Sequence, residues 1–296
     1  MESGREPNSD SVRIWRCRGC DVRLTRPRIM GIVNVTPDSF SDGGLYVVPD
    51  QAIAHGIRLA SEGAELLDVG GESTRPGAEV VSPDEELRRV IPVVQALVAQ
   101  SGVPVTIDTR RALVAQAALA AGACAVNDVI PFTDDPDMVE VIRESGAGVV
   151  LMHMRGTPQT MMEHAVYDDV VGEVEASLRE KLICAEAVGI ARECIMLDPG
   201  IGFAKTTAHN LALLAATARL ASMGPLLVGA SRKRFIGEVC GGDCAPDERQ
   251  GGSIAVAAWC AQQGAAIVRV HDVKATQQAL AMVQALTEAA LGIKNV

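Results

Sequence analysis

The sequence predicts a (β/α)₈ barrel, the TIM-barrel fold, that follows a short N-terminal β-hairpin. Eight short aliphatic runs alternate with eight helical patterns over about 265 residues, which is the repeat that builds such a barrel. Most runs are too apolar for half-exposed strands, and such strands are typical of parallel sheets covered by helices. An open doubly wound sheet is the alternative. It favours a glycine-rich phosphate loop after the first strand, where this chain has Thr36-Pro37-Asp38 instead.

The elements can be placed in chain order. Residues 1–11 are polar and lack an apolar signal core, so we expect a disordered leader before one barrel domain at 12–296. The hairpin is expected at about 12–26. The eight strands, bounded by Gly, Pro, Asp or Ser, are expected at Ile29–Val35, Leu66–Gly71, Val105–Thr109, Ala125–Val129, Gly148–Met154, Cys194–Asp198, Leu226–Ala230 and Ala266–Val270.

The helices are expected between the strands and after the last one. Asp50 is suited to cap the first helix, and Pro83 to occupy the first turn of the second. Glu85 and Glu86 would then lie near the positive end of that helix dipole. The helices are expected at Asp50–Ser61, Pro83–Gln100, Arg111–Ala121, Asp137–Glu144, Asp168–Val188, Thr207–Ala221, Glu248–Gln263 and Lys274–Ala290.

Composition argues against several classes of protein. The formal net charge is −10 and no basic stripe is present, so a general nucleic-acid binder is not expected. No apolar run reaches about 18 residues, so no membrane span is expected. The eight cysteines are scattered, several within apolar runs, and are expected to be reduced, mostly buried thiols of a cytoplasmic protein.

Two cysteine pairs are closely spaced. Cys17 and Cys20 flank Arg18-Gly19, and Cys240 and Cys244 surround Gly-Gly-Asp. A four-ligand zinc site could use these pairs, although no histidine stands nearby at the spacing of zinc fingers. The simpler interpretation of the first pair is a glycine-centred turn between two short strands.

Polar side chains stand at the C-terminal end of every expected strand, where the active sites of such barrels lie. One such side chain would be explained as a helix cap or turn residue, but eight ends in succession indicate a site. Asp68 and His153 each have a structural explanation of similar weight. The ends carry Asn34, Asp68, Glu72, Asp108, Asn127, Asp128, His153, Arg155, Asp198, Ser231, Lys233, Arg269 and His271.

One group of these side chains is suited to a heterocycle. Asp108, Asn127 and Asp198 supply acceptors and an amide, which could recognise a flat ring bearing several N–H donors and a carbonyl. A pterin or a purine has this pattern, and a polar site of this kind rejects rings that leave its groups unpaired. Lys233 could face a ring carbonyl or nitrogen from the opposite side.

A second group is suited to an anion. Arg269 and His271 stand two apart on one strand and therefore point the same way. Asn34 lies on the neighbouring strand of a closed barrel. Together the three predict an anion pocket, at a place where such barrels often hold phosphate.

At these residues the chain resembles the dihydropteroate synthases, which are folate-pathway enzymes. The resemblance extends from about Arg26 to Ala290 and rests on several long motifs in the right order. The motifs are MGIVNVTPDSFSDGG (30–44), DVGGESTRPGA (68–78), IDT (107–109), ND (127–128), LMHMRGTP (151–158), LDPGIGF (197–203), SRKRFIG (231–237) and RVHDV (269–273).

The resemblance implies a reaction. It implies that 6-hydroxymethyl-7,8-dihydropterin pyrophosphate condenses with p-aminobenzoate to give 7,8-dihydropteroate and pyrophosphate, by C–O cleavage through a pterin carbocation. It also implies a homodimer, Mg²⁺ as cofactor and competition by sulfonamides, because the Ser-Thr-Arg-Pro-Gly loop is intact. Ala204 stands where family members commonly have Gly, and Ile130-Pro131-Phe132 is an unfamiliar continuation of the strand-four loop.

The resemblance also implies a role for each site residue. Pterin binding would fall to Asp108, Asn127, Asp198, Lys233 and Met152. Pyrophosphate binding would fall to Asn34, Arg269, His271, Thr74 and Arg75, with Mg²⁺ reached through Asn34. The p-aminobenzoate pocket and its loops would use Asp38, Phe40, Thr74, Pro76, Phe203 and Arg234.

Two other functions fit part of the pattern. A folate-dependent methyltransferase barrel shares the Asp/Asn set but gives no reason for the TPDSF loop, the STRPG loop or Lys233. A non-catalytic pterin-binding paralogue should have lost members of the pyrophosphate or loop sets. This chain keeps them, namely Asn34, Asp38, Arg75, Arg269 and His271.

Overall fold

A computed structural model describes residues 13–36, 47–73, 80–130, 134–242 and 244–292. Its strands are β1 (Ile14–Cys17), β2 (Cys20–Arg23), β3 (Arg28–Asn34), β4 (Leu66–Gly70), β5 (Val105–Asp108), β6 (Ala125–Asp128), β7 (Gly148–Met152), β8 (Ile195–Asp198), β9 (Leu227–Val228) and β10 (Ile267–Val270). Its α-helices are α1 (Val47–Ser61), α2 (Pro83–Gln100), α3 (Ala112–Ala120), α4 (Met138–Ser145), α5 (Val170–Ala187), α6 (Thr207–Ala215), α7 (Thr217–Ala221), α8 (Arg234–Val239), α9 (Gln250–Gln262) and α10 (Val273–Ala290).

Strands β3 to β10 form the predicted parallel barrel. Their hydrogen-bonded order is β8-β7-β6-β5-β4-β3-β10-β9, and a parallel bridge between Leu197 and Leu226 joins the two ends. Each strand therefore follows its sequence neighbour around the barrel, as right-handed β–α–β connections require. The sequence prediction of fold class is confirmed.

Side chains alternate between the two faces of each barrel strand. One set points outward and packs beneath the helices, as Val33, Leu67 and Ile107 do in the main apolar core. The other set points into the barrel. Near the N-terminal ends the inward residues are apolar, and they include Met30, Leu66, Ala125, Val150, Met196, Leu227 and Ile267.

The hairpin β1–β2 covers this N-terminal end of the barrel. Trp15 is fully buried among the inward apolar residues, and its indole Nε1 donates to the carbonyl oxygen of Cys194 at 2.8 Å. The two strands pair in antiparallel register with Cys17 opposite Cys20. Gly19 has a φ of 72°, which suits the two-residue turn that the sequence predicts.

Three details differ from the predicted helices. Helix α1 begins at Val47, so Asp50 lies within its first turn and does not cap it. The helix expected at Thr207–Ala221 is divided at Ala216, where the Thr217 hydroxyl donates to the carbonyl oxygen of Leu214 at 2.7 Å and so competes with the helix ladder. The short helix α8 was not expected, because its six residues contain Gly237 and follow a polar strand end. No helix in the described part of the chain is long and apolar enough to cross a membrane.

Candidate active site

A cavity of about 1400 Å³ opens at the C-terminal ends of the barrel strands. Every second residue of a barrel strand points into the barrel. These inward residues are apolar near the N-terminal end of each strand and polar near the C-terminal end, where the cavity lies. Of the side chains that the sequence singles out, those lining the cavity are Asn34, Glu72, Asp108, Phe203, Ser231, Lys233, Arg234, Arg269 and His271. Asn127, Met152 and Asp198 are buried beside it and are not among the lining residues.

Arg269 is the centre of a charged cluster in this cavity. Its Nε donates to Asp68 Oδ2 at 2.6 Å, and its Nη2 donates to Asp108 Oδ2 at 2.6 Å. Asp68 is fully buried, accepts from the Asn127 amide at 3.0 Å and also accepts from the Thr106 hydroxyl. The cluster therefore links four barrel strands and fixes the positions of Asp108 and Asn127.

Asp198 lies at the end of β8, directly across the β7–β8 ladder from Met152. Its Oδ1 accepts from the backbone N–H of Gly200 at 2.7 Å. Gly200 has a φ of 66°, and a side chain there would collide with the carbonyl oxygen of His153. Glycine at this position thus allows the tight turn that presents Asp198.

The side chains of Lys233 and Phe203 are in contact in this part of the site. The Lys233 ammonium lies 4.0 Å from the centroid of the Phe203 ring, within the range of a cation–π interaction. Phe203 also belongs to a small apolar cluster with Met152 and Ala204. Lys233 is close enough to Asp108 and Asp198 for its charge to lower the pKa of each.

His271 is held by its neighbour Ser231. The Ser231 hydroxyl lies 3.1 Å from His271 Nδ1 and accepts from the His271 backbone N–H at 3.2 Å. The next residue, Arg232, has a φ of 59°, which is uncommon outside glycine. A bidentate pair with Asp272, at 2.7 and 3.0 Å, holds Arg232 in that conformation.

Burial changes the protonation of this site. It raises the pKa of Asp108 to about 7 against the opposing charge of Arg269. It raises the pKa of Asp198 to about 6 against the hydrogen bond from Gly200. Burial also lowers the pKa of His271 to about 3, and Arg232 and Arg269 add to that effect. A ligand with N–H donors would favour ionised carboxylates, and an anionic ligand would favour a charged imidazole.

The remaining predicted site residues divide into two kinds. Arg234 begins α8, its side chain is 83% exposed and it pairs with Glu238 at 2.8 Å, so it stands at the rim. The loop residues lie outside the described part of the chain. These are Asp38, Phe40, Thr74, Arg75 and Pro76.

The described residues on either side of positions 74–79 are held together beside the cavity. Glu72 accepts from the backbone N–H of Val81 at 3.1 Å. Arg110 and Arg111 each donate to the same carboxylate, at 3.0 and 3.2 Å. Glu72, which lines the cavity, is therefore fixed by Val81, Arg110 and Arg111.

Sequence reasoning missed one buried pair and underrated one residue. Lys205 is 3% exposed, and its ammonium contacts His153 Nδ1 at 3.0 Å and donates to the carbonyl oxygen of Phe203 at 2.9 Å. The run Gly202-Phe203-Ala204-Lys205 carried no signal that the lysine turns inward. Asp68, for which a structural and a functional explanation carry similar weight at the level of the sequence, binds Arg269, Asn127 and Thr106.

Comparison with known proteins places this geometry among pterin enzymes. A family model described as "Pterin binding enzyme" matches residues 30–271. The dihydropteroate synthase of Neisseria meningitidis serogroup B is 48% identical over 279 residues, which cover 92% of this chain and 97% of that protein.

Solved structures agree with the sequence comparison. The Xanthomonas albilineans dihydropteroate synthase with 4-aminobenzoic acid is 49% identical with a TM-score of 0.88, covering 94% of this chain and 99% of its own. The same enzyme with 7,8-dihydropteroate is 47% identical with a TM-score of 0.85, covering 93% and 98%. The Yersinia pestis enzyme with a sulfonamide drug is 44% identical with a TM-score of 0.87, covering 93% and 99%.

Proposed function

This chain belongs to the dihydropteroate synthase family of pterin-binding enzymes, and from that premise we propose the reaction of its own barrel mouth. The protein is a transferase of folate synthesis. It joins 6-hydroxymethyl-7,8-dihydropterin pyrophosphate to p-aminobenzoate, giving 7,8-dihydropteroate and pyrophosphate. The observation that carries the proposal is that Asp108 and Lys233 line one cavity at the strand ends, with Asp198 close enough for the charge of Lys233 to lower its pKa.

The pterin ring is assigned to the floor of the cavity. Asp108 and Asp198 accept hydrogen bonds from ring N–H groups, Asn127 supplies an amide, and Met152 lies beneath the ring. Lys233 approaches from the side of Phe203. Asn127, Met152 and Asp198 are buried, and Asp108 and Lys233 are half-buried. A ring lacking the matching N–H donors would leave carboxylate oxygens of Asp108 and Asp198 without those hydrogen bonds.

The pyrophosphate is assigned to Arg269, His271 and Asn34. Arg269 is already bound to Asp68 and Asp108, so it brings a fixed guanidinium with remaining N–H donors to the leaving group. Thr74 and Arg75 complete this set from the loop after β4.

Magnesium is assigned to the same place through Asn34. Asn34 is half-buried at the end of β3 and offers one neutral oxygen. Mg²⁺ keeps several waters and accepts phosphate oxygens, so a single amide ligand fits an ion that arrives with pyrophosphate. When bound, Mg²⁺ supplies charge neutralisation for the leaving group.

The p-aminobenzoate is assigned to the outer part of the cavity. Phe203 offers an apolar face, and Arg234 stands at the rim. Pro76 and Thr74, from the segment after β4, are assigned to the same pocket by the family motif. Asp38 and Phe40 belong to the loop after β3, which we propose closes over both substrates. Sulfonamides, which resemble p-aminobenzoate, are expected to compete for this position. Turnover that stays unchanged in saturating sulfonamide at low p-aminobenzoate would contradict that assignment.

The chemistry follows from the placement of charge. The bond between the pterin methylene carbon and the bridging oxygen breaks, and its electron pair leaves with pyrophosphate, which Arg269 and His271 stabilise. The carbocation that remains is stabilised by the ring nitrogens and by the nearby carboxylates of Asp108 and Asp198. The neutral arylamine nitrogen then forms the C–N bond and loses one proton to solvent.

The assay compares purified protein with one matched pair of variants. Protein given both substrates and Mg²⁺ should form dihydropteroate and pyrophosphate in equal amounts. Lys233→Met should lower turnover at least 100-fold, while Lys181→Met, a lysine on helix α5, should leave it within about threefold. Pterin binding without turnover would favour a non-catalytic paralogue. Transfer of a folate methyl group would favour a methyltransferase.

A homodimer is the assembly we propose. The neighbouring helices α9 and α10 expose Trp259, Met282 and Leu286 to 47%, 60% and 62%. Met282 and Leu286 are one helical turn apart and so share one side of α10. Sedimentation of the wild type should give a dimer, and Met282→Lys with Leu286→Lys should give a monomer. A monomeric wild type would contradict the assignment.

A further inference from the structure

Three cysteines from two distant parts of the sequence lie together at the N-terminal end of the barrel, which the hairpin β1–β2 covers. Cys17 and Cys20 flank the hairpin turn, and Cys124 directly precedes β6. Their three sulfur atoms all lie within 4.8 Å of one another, and the Cys17 Sγ also donates to the carbonyl oxygen of Trp15 at 3.8 Å. Cys17 and Cys124 are each 4% exposed, and Cys20 is half-buried.

The surrounding backbone holds the three thiols together. The Arg18 N–H of the hairpin turn donates to the carbonyl oxygen of Cys124 at 2.9 Å, and the Gly148 N–H donates to the same oxygen at 3.2 Å. A side chain at Gly148 would come within 2.7 Å of the Cys17 sulfur. The glycine therefore leaves the space that the sulfur fills, and the cluster does not depend on an exposed loop.

We propose that Cys17, Cys20 and Cys124 form a binding site for one thiophilic d¹⁰ cation, Zn²⁺ or Cu⁺. Thiolates are the ligands that these ions select, and binding displaces the thiol protons into solvent. In the described part of the chain no histidine, aspartate or glutamate joins the group. Cu⁺ would be bound by the three sulfurs alone, and Zn²⁺ would take a water as its fourth ligand on the half-exposed side of Cys20.

The spacing of the sulfurs fits a shared ion. A Zn–S distance of about 2.3 Å in tetrahedral geometry places sulfurs about 3.8 Å apart. The observed upper limit of 4.8 Å requires the thiols to close by about 1 Å at most. A disulfide needs a bond of about 2.05 Å and joins only two of the three, so it leaves one buried thiol unused.

The site would act on structure and not on turnover. Cys124 lies before the first residue of β6, whereas Asn127 lies near its last residue, about 10 Å away at the rise of a strand. An ion here would tie the hairpin to the barrel at the end opposite the active-site cavity. Bound metal should therefore raise thermal stability and leave catalysis unchanged.

The test uses the full chain, reduced and stripped of metal. Titration with Co²⁺ as an optical probe for the zinc arm, and with Cu⁺ against a chromogenic chelator for the copper arm, should show one ion per chain bound by thiolates. The ion preferred at equal free concentration identifies the cation. Cys20→Ser, the mildest change because Cys20 is half-buried, should weaken binding at least 100-fold. Cys184→Ser and Cys240→Ser, both exposed, should not change it.

Thermal melting completes the design. The bound ion should raise the melting temperature of the wild type and of both exposed-cysteine variants, but not that of Cys20→Ser. Cys20→Ser that keeps its circular dichroism and turnover excludes loss of folding. Failure of both ions to bind the wild type, or equal binding by Cys20→Ser, would overturn the proposal. So would quantitative formation of a disulfide with no metal uptake after reduction.

Discussion

Replacing Asp198 by asparagine should stabilise the protein at neutral pH while it abolishes pterin recognition. Asp198 is 6% exposed, and burial raises its pKa from 3.8 to about 6. The hydrogen bond from Gly200 and the charges of Lys233 and Lys205 oppose that rise without cancelling it. An amide of the same shape can still accept from Gly200 and carries no charge into the barrel.

The magnitude follows from the pKa. Each tenfold change in proton affinity is about 1.4 kcal/mol, so a rise from 3.8 to about 6 disfavours the ionised folded state by about 3 kcal/mol. The folded chain binds this proton more tightly than the unfolded chain does. Wild-type stability from this group is therefore fully present below about pH 4 and is lost as pH rises through about 6.

We therefore expect Asp198→Asn to be more stable by about 1–3 kcal/mol at pH 7.5, and by about 1 kcal/mol or less at pH 4.5. Urea unfolding at the two pH values measures this difference. Asp21→Asn, an exposed carboxylate on β2, should stay within about 0.5 kcal/mol of the wild type at both. Turnover of Asp198→Asn should fall at least 100-fold. A variant that is less stable at pH 7.5, or equally shifted at both pH values, would refute the reasoning.

Three further outcomes are expected. Arg269→Lys should lower the free energy of unfolding by about 1–3 kcal/mol and turnover by about 100-fold, because an ammonium cannot bridge Asp68 and Asp108 as the guanidinium does. A loss of unfolding free energy below about 0.5 kcal/mol would contradict this. Burial lowers the pKa of Lys205 to about 7, whereas the lysine of the unfolded chain keeps its proton up to about pH 10. The free energy of unfolding of the wild type should therefore rise between pH 7 and 9 relative to that of Lys205→Met. Parallel pH profiles for the two proteins would contradict this expectation. Pyrophosphate binding should raise the pKa of His271 from about 3, so calorimetry at about pH 5 in buffers of different ionisation enthalpy should show proton uptake on binding. His271→Asn should lose that uptake, and equal uptake by the variant would contradict the expectation.

Much of the fold could be predicted because each barrel strand can be recognised from its own short stretch of sequence. Each is a short aliphatic run, and the alternation of side chains decides which residues face inward. That alternation is also why Asp108, Asp198 and Arg269 could be selected from the sequence: they occupy the inward positions where apolar residues stop. Their roles in binding and catalysis stay predictions, as do the Mg²⁺ ion and the cytoplasmic location.

The rest depended on contacts between distant strands. The role of Asp68 cannot be predicted from the sequence, because its partners Arg269, Thr106 and Asn127 come from three other strands of the barrel. The CxxC turn was predicted correctly as a hairpin. The approach of a third thiol, Cys124, was not predicted, because it lies about a hundred residues further along the chain, directly before β6. Cys240 and Cys244, the other half of the four-ligand zinc alternative, are not part of the cluster.

The most direct test of the proposed reaction labels the bridging oxygen of the pterin pyrophosphate with ¹⁸O. Purified protein with p-aminobenzoate and Mg²⁺ should release pyrophosphate that carries the label, together with an equal amount of unlabelled dihydropteroate, because the carbon–oxygen bond breaks. Mass spectrometry measures both products in one reaction. Absence of dihydropteroate would contradict the function, and label retained on a hydroxymethyl pterin would contradict the proposed bond cleavage.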